Sequence, residues 1–322
     1  MKKIAVIGSL NVDYVAYVRR QPRMGETTLA SHLEIVPGGK GANQAFVLGR
    51  MGAEVAMFGA VGDDANGALE LQSLASTGVD VSHVRRLADP TGMALVTVDA
   101  QGDNCIVVAP GANGQVTTGY IDDMMEILST FDIIVLQLEI PLDTVSYAAR
   151  VLSAQGKTVI LDPAPAPGVL PDELIGNVDI ITPNRSELAL LTATDAVETD
   201  LEAALGTLTA QGARCVVASV GESGVVVAEP GGERTHYGAE RVPVVDTTGA
   251  GDSLTAALAF GLATGLDVGR SVRFGNRVAA SVVQQRGAQK AIPSAAELYE
   301  IWADCAERSR DETESDKETT RQ

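Results

Sequence analysis

The stretch Val245-Asp246-Thr247-Thr248-Gly249-Ala250-Gly251-Asp252 decides how this chain is read, together with the apolar run at 253–262 behind it. Gly249 and Gly251, with only Ala250 between them, leave almost no side chain over the backbone amides. Leu254, Ala257, Leu258 and Gly261 recur at helical spacing. A small-residue turn feeding a helix N-terminus gathers N–H donors at the positive end of the helix dipole, which favours phosphate. Asp252 would repel an anion held there. It fits if its task is to take a proton from the group that attacks the phosphate. An acid that simply suits a first helical turn is the ordinary alternative.

Outward from this stretch, short Val- and Ile-rich runs at 4–8, 55–61, 133–138, 159–162, 180–182 and 216–220 alternate with helical patterns. Those patterns lie at 42–51, 65–76, 145–154, 201–210 and 256–264. The alternation predicts an α/β fold: three α/β/α layers around a mostly parallel sheet. Turn and polar residues gather after each apolar run, where open parallel sheets place their ligands. Two stretches, 14–36 and 91–108, lack a good helix, and the second reads as a hairpin around Ala100-Gln101-Gly102-Asp103. They are expected to form a small β-sheet lid; an edge extension of the main sheet is the alternative. The folded body is expected to span 1–306. From 307 to 322 the chain has no apolar residue, and a disordered acidic tail is expected.

With 322 residues, 45% of them hydrophobic, the chain can bury a large core. No apolar run is long enough to cross a membrane, and Met1-Lys2-Lys3 leads directly into a strand-like run, so a cytoplasmic protein is expected. Cys105, Cys215 and Cys305 are far apart and in no Cys-x-x-Cys pair, and the three histidines are scattered. That argues against a disulfide framework or a zinc site. A net charge of −18 argues against a nucleic-acid partner. Any phosphate site here must rely on backbone amides, a few cations and a metal ion.

Gly38-Gly39-Lys40-Gly41-Ala42-Asn43 resembles a phosphate loop but lacks the Ser or Thr that must follow the lysine. Its glycines are read as letting backbone approach a small neutral ligand, with Lys40 and Asn43 as donors; a plain Gly-rich turn is the alternative. Asn11 and Asp13, two apart in extended chain, face one side and suit adjacent hydroxyls of a polyol, or else cap a turn. Glu139, just past an apolar run, is a third hydroxyl acceptor. Asn184 and Glu187, three apart after a strand, suit either magnesium near phosphates or a capping box.

Together Asn11-Val12-Asp13, the 38–43 segment, Pro183-Asn184 with Glu187, and the stretch ending in Gly249-Ala250-Gly251-Asp252 resemble the signatures of the ribokinase-like (PfkB) carbohydrate kinases. Gln137-Leu138-Glu139, Pro163-Ala164-Pro165-Ala166 and Gly287-Ala288-Gln289 also look like this family, and the resemblance runs from residue 3 to residue 305. It implies ATP-dependent phosphorylation of D-ribose at its terminal hydroxyl, with Asp252 as base and the amides of Gly249, Ala250 and Gly251 as anion hole. Asn11, Asp13, Gly38, Gly39, Lys40, Asn43 and Glu139 would bind the sugar. Asn184, Ser219, Val220, Gly221, Glu222, Ser223, Gly224, Gly251 and Asn276 would bind the nucleotide, with Glu187 near magnesium. The resemblance further implies an activating monovalent cation such as potassium, at Asp246, Thr248, Val282, Gln285, Gly287 and Ala291, largely through backbone carbonyls. Ala291 stands where the family often has serine. A homodimer joined through the lid is also expected. Rival readings are a fructokinase, a deoxyribokinase, a nucleoside kinase, or a non-catalytic sugar-binding protein.

Overall fold

A computed structural model describes residues 1–194 and 201–319. In chain order the strands are β1 (Ile4–Ile7), β2 (Asn11–Tyr17), β3 (His32–Gly38), β4 (Val55–Gly62), β5 (Val84–Leu87), β6 (Gly92–Val98) and β7 (Asn104–Ala109). They continue as β8 (Ile133–Leu136), β9 (Thr158–Leu161), β10 (Ile180–Ile181), β11 (Val216–Ser219), β12 (Val225–Ala228) and β13 (Arg234–Tyr237). The helices are α1 (Lys40–Arg50), α2 (Ala65–Ala75), α3 (Thr118–Leu128), α4 (Leu142–Ser153), α5 (Asp172–Gly176) and α6 (Arg185–Thr192). After them come α7 (Leu201–Ala210), α8 (Ala250–Ala263), α9 (Val268–Val282) and α10 (Ala295–Thr319).

Nine strands form the main sheet in the order β13-β12-β11-β10-β9-β8-β1-β4-β5. From β5 to β11 neighbouring strands run parallel, with Ile4 of β1 opposite both Val55 and Ile133. β12 and β13 add an antiparallel edge. The central strands are apolar throughout because both faces are covered. Ile4 and Val6 face the core shared with Leu48, Leu258, Phe274 and Val278 of α1, α8 and α9. Ala5 and Ile7 face the opposite core, with Ile121 of α3 and Val145 and Leu152 of α4. Each such buried aliphatic side chain contributes about 1.5–3 kcal/mol.

All six apolar runs are strands of this sheet. The three it adds were weaker signals: β5 carries Arg85 and Arg86 at an edge, β13 is polar, and β12 is a four-residue run just behind a turn. The two irregular stretches form a separate four-stranded sheet, β3-β2-β6-β7, and not an extension of the main one. The register places Asn11 between Gly38 of β3 and Gly92 of β6, so the lid is rooted where β1 ends. α10 carries the helical backbone through Thr319, where composition pointed to disorder from 307 onward; residues 320–322 lie outside the described residues. Glu, Arg and Lys are good helix formers, and a helix satisfies its backbone groups locally without a buried face.

Candidate active site

The carboxyl ends of β1, β8, β9 and β10 and the N-termini of α1 and α8 converge on one cluster of polar side chains. α1 begins directly under the lid strand β3, and its first turns bring Lys40, Asn43 and Gln44 against the end of β1. The approach is close: a Cβ on Gly41 would lie 2.7 Å from the Ser9 nitrogen and 2.8 Å from the Gly8 carbonyl carbon. At Gly39, where φ is +83°, a Cβ would lie 2.7 Å from the Asn11 nitrogen. At Gly38 it would meet the Asp13 carboxylate at 2.5 Å. Close approach is thus a structural requirement at all three glycines. They let α1 and the lid root pack against β1 and β2, and that packing positions the side chains that surround the site.

α8 starts at Gly249, whose φ of +77° and nearness to Ala288 (3.1 Å from an added Cβ to its Cα) both require glycine. The Ala250 amide is taken by the Thr247 carbonyl at 3.2 Å. Among the described residues the amides of Gly249 and Gly251 have no partner, and a Cβ on Gly251 would meet nothing within 4 Å. An open bay therefore lies before the helix N-terminus, with two amides left to hold an anion.

Asp252 is buried, 6% exposed, in the first turn of α8. Its Oδ2 accepts from Asn43 Nδ2 at 2.9 Å, and its Oδ1 from Gln44 Nε2 at 3.3 Å. Lys40 Nζ lies 3.6 Å from Asp252 Oδ1 and 3.4 Å from Asp162 Oδ2. Gln44 Nε2 also donates to Asp162 Oδ2, at 2.8 Å. Glu139 Oε2 accepts from Ser9 Oγ at 2.5 Å, the Lys40 backbone N–H at 3.0 Å and Asn11 Nδ2 at 3.3 Å. Its Oε1 has no partner among the described residues. Asn113 Nδ2 donates to Asn11 Oδ1 at 2.8 Å and so fixes that amide.

The cluster is strongly acidic. Burial pushes Asp13 up to about 7, and the nearby Glu139 and Asp252 add to the rise. Burial likewise pushes Asp162 up to about 7, against the lowering pull of Lys40. Burial alone would lower Lys40, yet Asp162, Asp252, Glu139 and Glu187 together raise it above its ordinary value. Such an excess of carboxylate oxygen around one ammonium suits a polyol, whose hydroxyls donate to it.

The other expected residues fall into two further groups. At the N-terminus of α6 both halves of a capping box are present: Glu187 N–H donates to Asn184 Oδ1 at 2.9 Å, and Asn184 N–H to Glu187 Oε2 at 2.8 Å. Asn184 is bridged to Ser219, which opens the turn through Val220, Gly221, Glu222 and Ser223 to Gly224. Gly224 packs on Tyr237 and Gly238, and Asn276 Nδ2 donates to the Gly238 carbonyl at 2.9 Å. Asn184, this turn and Asn276 thus line one connected region.

In the second group Asp246 Oδ1 accepts from Thr248 N at 2.9 Å and Thr248 Oγ1 at 2.7 Å, and its Oδ2 from Gly287 N at 2.9 Å. Despite partial burial, these bonds hold Asp246 below the usual carboxylate range. Gln285 N–H bonds to the Val282 carbonyl, closing the end of α9. Ala291, itself buried, ends a 3-10 turn over Gln289–Ala291 and presents only a methyl group.

Sequence reasoning gave no role to Gln44, Asn113, Asp162 or Gln289. Asp162 stands directly after β9, so the strand-end argument that picked out Glu139 reaches it equally. Asn113 and Gln289 act from distant segments, for which the sequence carries no local signal.

A model of the pfkB family carbohydrate kinases matches residues 1–295. This chain belongs to that family. It is 35% identical over 302 residues to a ribokinase of Haemophilus influenzae, covering 93% of this chain and 98% of that one. It is 34% identical over 299 residues to a deoxyribokinase of Salmonella typhi, covering 92% and 97%. Among solved structures, that of Arabidopsis thaliana ribokinase complexed with ribose and ATP superposes with a TM-score of 0.85 at 31% identity, over 94% of this chain and 98% of that one. As a family member the chain is an ATP-dependent carbohydrate kinase.

Proposed function

We propose that this kinase phosphorylates D-ribose at its terminal hydroxyl, giving D-ribose 5-phosphate. The observation that carries the proposal is Asp252, buried at the mouth of the α8 amide bay beside the acceptors of a polyol site. Asn11, Asp13, Asn43, Glu139 and the Lys40 ammonium hold the sugar, with Gly38 and Gly39 as its floor. Asp252 takes the proton from the attacking hydroxyl, and the amides of Gly249 and Gly251 take charge developing on the transferred phosphoryl group, while the expected third donor, the Ala250 amide, is bonded to the Thr247 carbonyl. The nucleotide lies along Asn184, the turn from Ser219 to Gly224, and Asn276.

Among the described residues no group of three or more His, Cys, Asp or Glu side chains is placed to hold a metal ion. Magnesium would therefore arrive with the nucleotide phosphates, with Glu187 beside it through the oxygen its capping box leaves free. It would neutralise phosphate charge that this acidic site cannot. Potassium would be held by Asp246 and the carbonyls of Thr248, Val282, Gln285, Gly287 and Ala291. Turnover in potassium equal to that in a bulky organic cation at equal ionic strength would remove this part. Among the described residues Cys105, Cys215 and Cys305 form no disulfide, which suits a reducing cytoplasm, and no helix is long and apolar enough to cross a membrane.

The test is a substrate panel with ATP and magnesium. Ribose should give the highest specificity constant, above fructose, adenosine and 2-deoxyribose. The deoxyribokinase is within one percentage point of the ribokinase in identity (35% against 34%), so 2-deoxyribose is the second reading. A site built to bond the 2-hydroxyl rejects the sugar lacking it by several powers of ten. If 2-deoxyribose or adenosine were preferred, the ribose assignment would fall.

A further inference from the structure

The two oxygens of Asp252 are treated differently. Oδ2 is anchored at 2.9 Å by Asn43, which is itself held by Gln289 Nε2 at 3.3 Å. Oδ1 is reached by Gln44 and Lys40, and each of these donors lies closer to Asp162. Gln44 Nε2 is 2.8 Å from Asp162 against 3.3 Å from Asp252, and Lys40 Nζ is 3.4 Å against 3.6 Å. The Gln44 amide cannot turn its oxygen toward the carboxylates, because Gln137 Nε2, fully buried, donates to Gln44 Oε1 at 2.6 Å.

We propose that Asp162 is a positioning residue of phosphoryl transfer: it draws Lys40 and Gln44 toward itself and leaves Asp252 Oδ1 held only by their longer contacts, able to receive the sugar's proton. This rests on the reading of Asp252 as base. Asp162 is 4% exposed and sits behind its two donors, so it acts through them. The charged groups facing the pair are Lys40 from α1, Asp13 from β2, Glu139 after β8 and Glu187 from α6. Lys40 is thus the cation that two buried carboxylates share. Without a charge at 162, its ammonium would settle on Asp252. An opposite charge at contact lowers a carboxylate's pKa by about 1–3 units, and a less basic carboxylate is a poorer proton acceptor.

The experiment compares the pH dependence of kcat for the parent and Asp162→Asn, which keeps size and an acceptor for Gln44. In the parent an acid limb should follow the loss of the Asp162 charge near pH 7, and in Asp162→Asn that limb should be gone. The kcat plateau should fall about tenfold, with sugar KM changed far less. Asp162→Glu, which retains the charge, should restore the limb. Asp162→Ser removes the charge by a different route and gives the same loss of the limb should the Asn variant fold poorly. A parent-like limb and plateau in a folded, uncharged variant would overturn the proposal, as would a lowered melting temperature with the limb retained. Asp252→Asn, assayed alongside, separates the two ideas. If it keeps parent turnover, the base reading fails and this proposal with it. If it is inactive while Asp162→Asn behaves as the parent, only the role of Asp162 fails.

Discussion

Asn43 Nδ2 donates to Asp252 Oδ2 at 2.9 Å across 209 residues of chain, joining the first helix of the fold to the eighth. Behind it Gln289 reaches Asn43 Oδ1 at 3.3 Å, and Ser73 Oγ donates to Gln289 Oε1 at 2.7 Å. The aim of the Asp252 carboxylate is therefore set by three segments far from its own helix. Each has to hold its place for the base to point into the bay.

Placement of α1 is the first thing this relationship makes testable. Gly41→Ala would set a Cβ 2.7–2.8 Å from backbone atoms of Ser9 and Gly8, and backbone cannot rotate away as a side chain can. Overpacking of this kind costs about 1–3 kcal/mol. The shift would carry Lys40, Asn43 and Gln44 off their carboxylates. We expect a lowered melting temperature together with a kcat reduced at least about tenfold, since small misplacements are costly in rate. Calorimetry and steady-state kinetics on the same sample would check both. Unchanged stability and rate would show that α1 has slack at this point.

The central sheet was legible in the sequence because strands covered on both faces must be apolar throughout, which gives a strong signal in single runs such as Ile4-Ala5-Val6-Ile7. Edge strands β5 and β13 need only one covered face and pair without that signal. The site was legible where its residues sit in tight small-residue motifs, as with Gly249, Gly251 and Asp252. What local sequence could not supply was pairing at long range. Nothing near Asp162 shows that Lys40 and Gln44 lie against it, from 122 and 118 residues away. The 38–43 glycines carried a true signal of close approach, and the backbone that Gly39 and Gly41 approach within the fold is the end of β1.

Asp13 gives a pH dependence whose sign follows from its environment. Burial first, then Glu139 and Asp252, push it up to about 7. An acid raised in the folded state costs stability while it is charged, and that cost is relieved as pH falls through 7 toward the unfolded value near 3.8. Asp13→Asn should therefore raise the melting temperature more at pH 8 than at pH 5. If the ionised form binds sugar hydroxyls, sugar KM should rise about tenfold per pH unit below 7 in the parent. The Asn variant should bind weakly at every pH and lose this slope. A parent KM that stays flat from pH 8 to 5.5 would exclude an ionised Asp13 as the sugar acceptor.

The lid carries a surface consequence. Ile35, Tyr14, Leu95 and Val107 are cross-strand neighbours in one row, and Ile35, Leu95 and Val107 are 48%, 50% and 65% exposed. A row of aliphatic side chains left in water on a sheet with open edges marks a protein contact. We expect a homodimer joined lid to lid at micromolar concentration. Leu95→Lys should give a monomer with a nearly unchanged melting profile for the main body, because the residue is already solvated in one chain. Sedimentation of the parent as a strict monomer would remove the dimer.

The last prediction concerns the proton. A positioned general base contributes about 10²–10⁴ in rate, or roughly 3–5 kcal/mol of barrier. An acid that only complements a helix dipole contributes about 0.3–1 kcal/mol, and to stability. In Asp252→Asn the amide oxygen can keep the bond from Asn43, while its NH2 then faces Gln44 Nε2 and Lys40, two further donors. A modest loss of stability is expected from that mismatch. The Gly249 and Gly251 amides keep their geometry, and a negative charge before the bay is gone, so ATP should bind as tightly as in the parent or slightly more so. Turnover should fall at least about a hundredfold. Measured ATP affinity separates the outcomes: tight binding with lost turnover is what a missing base produces. Loss of both would mean that Asp252 holds the α8 turn together, and turnover near the parent's would mean that the proton leaves by another route.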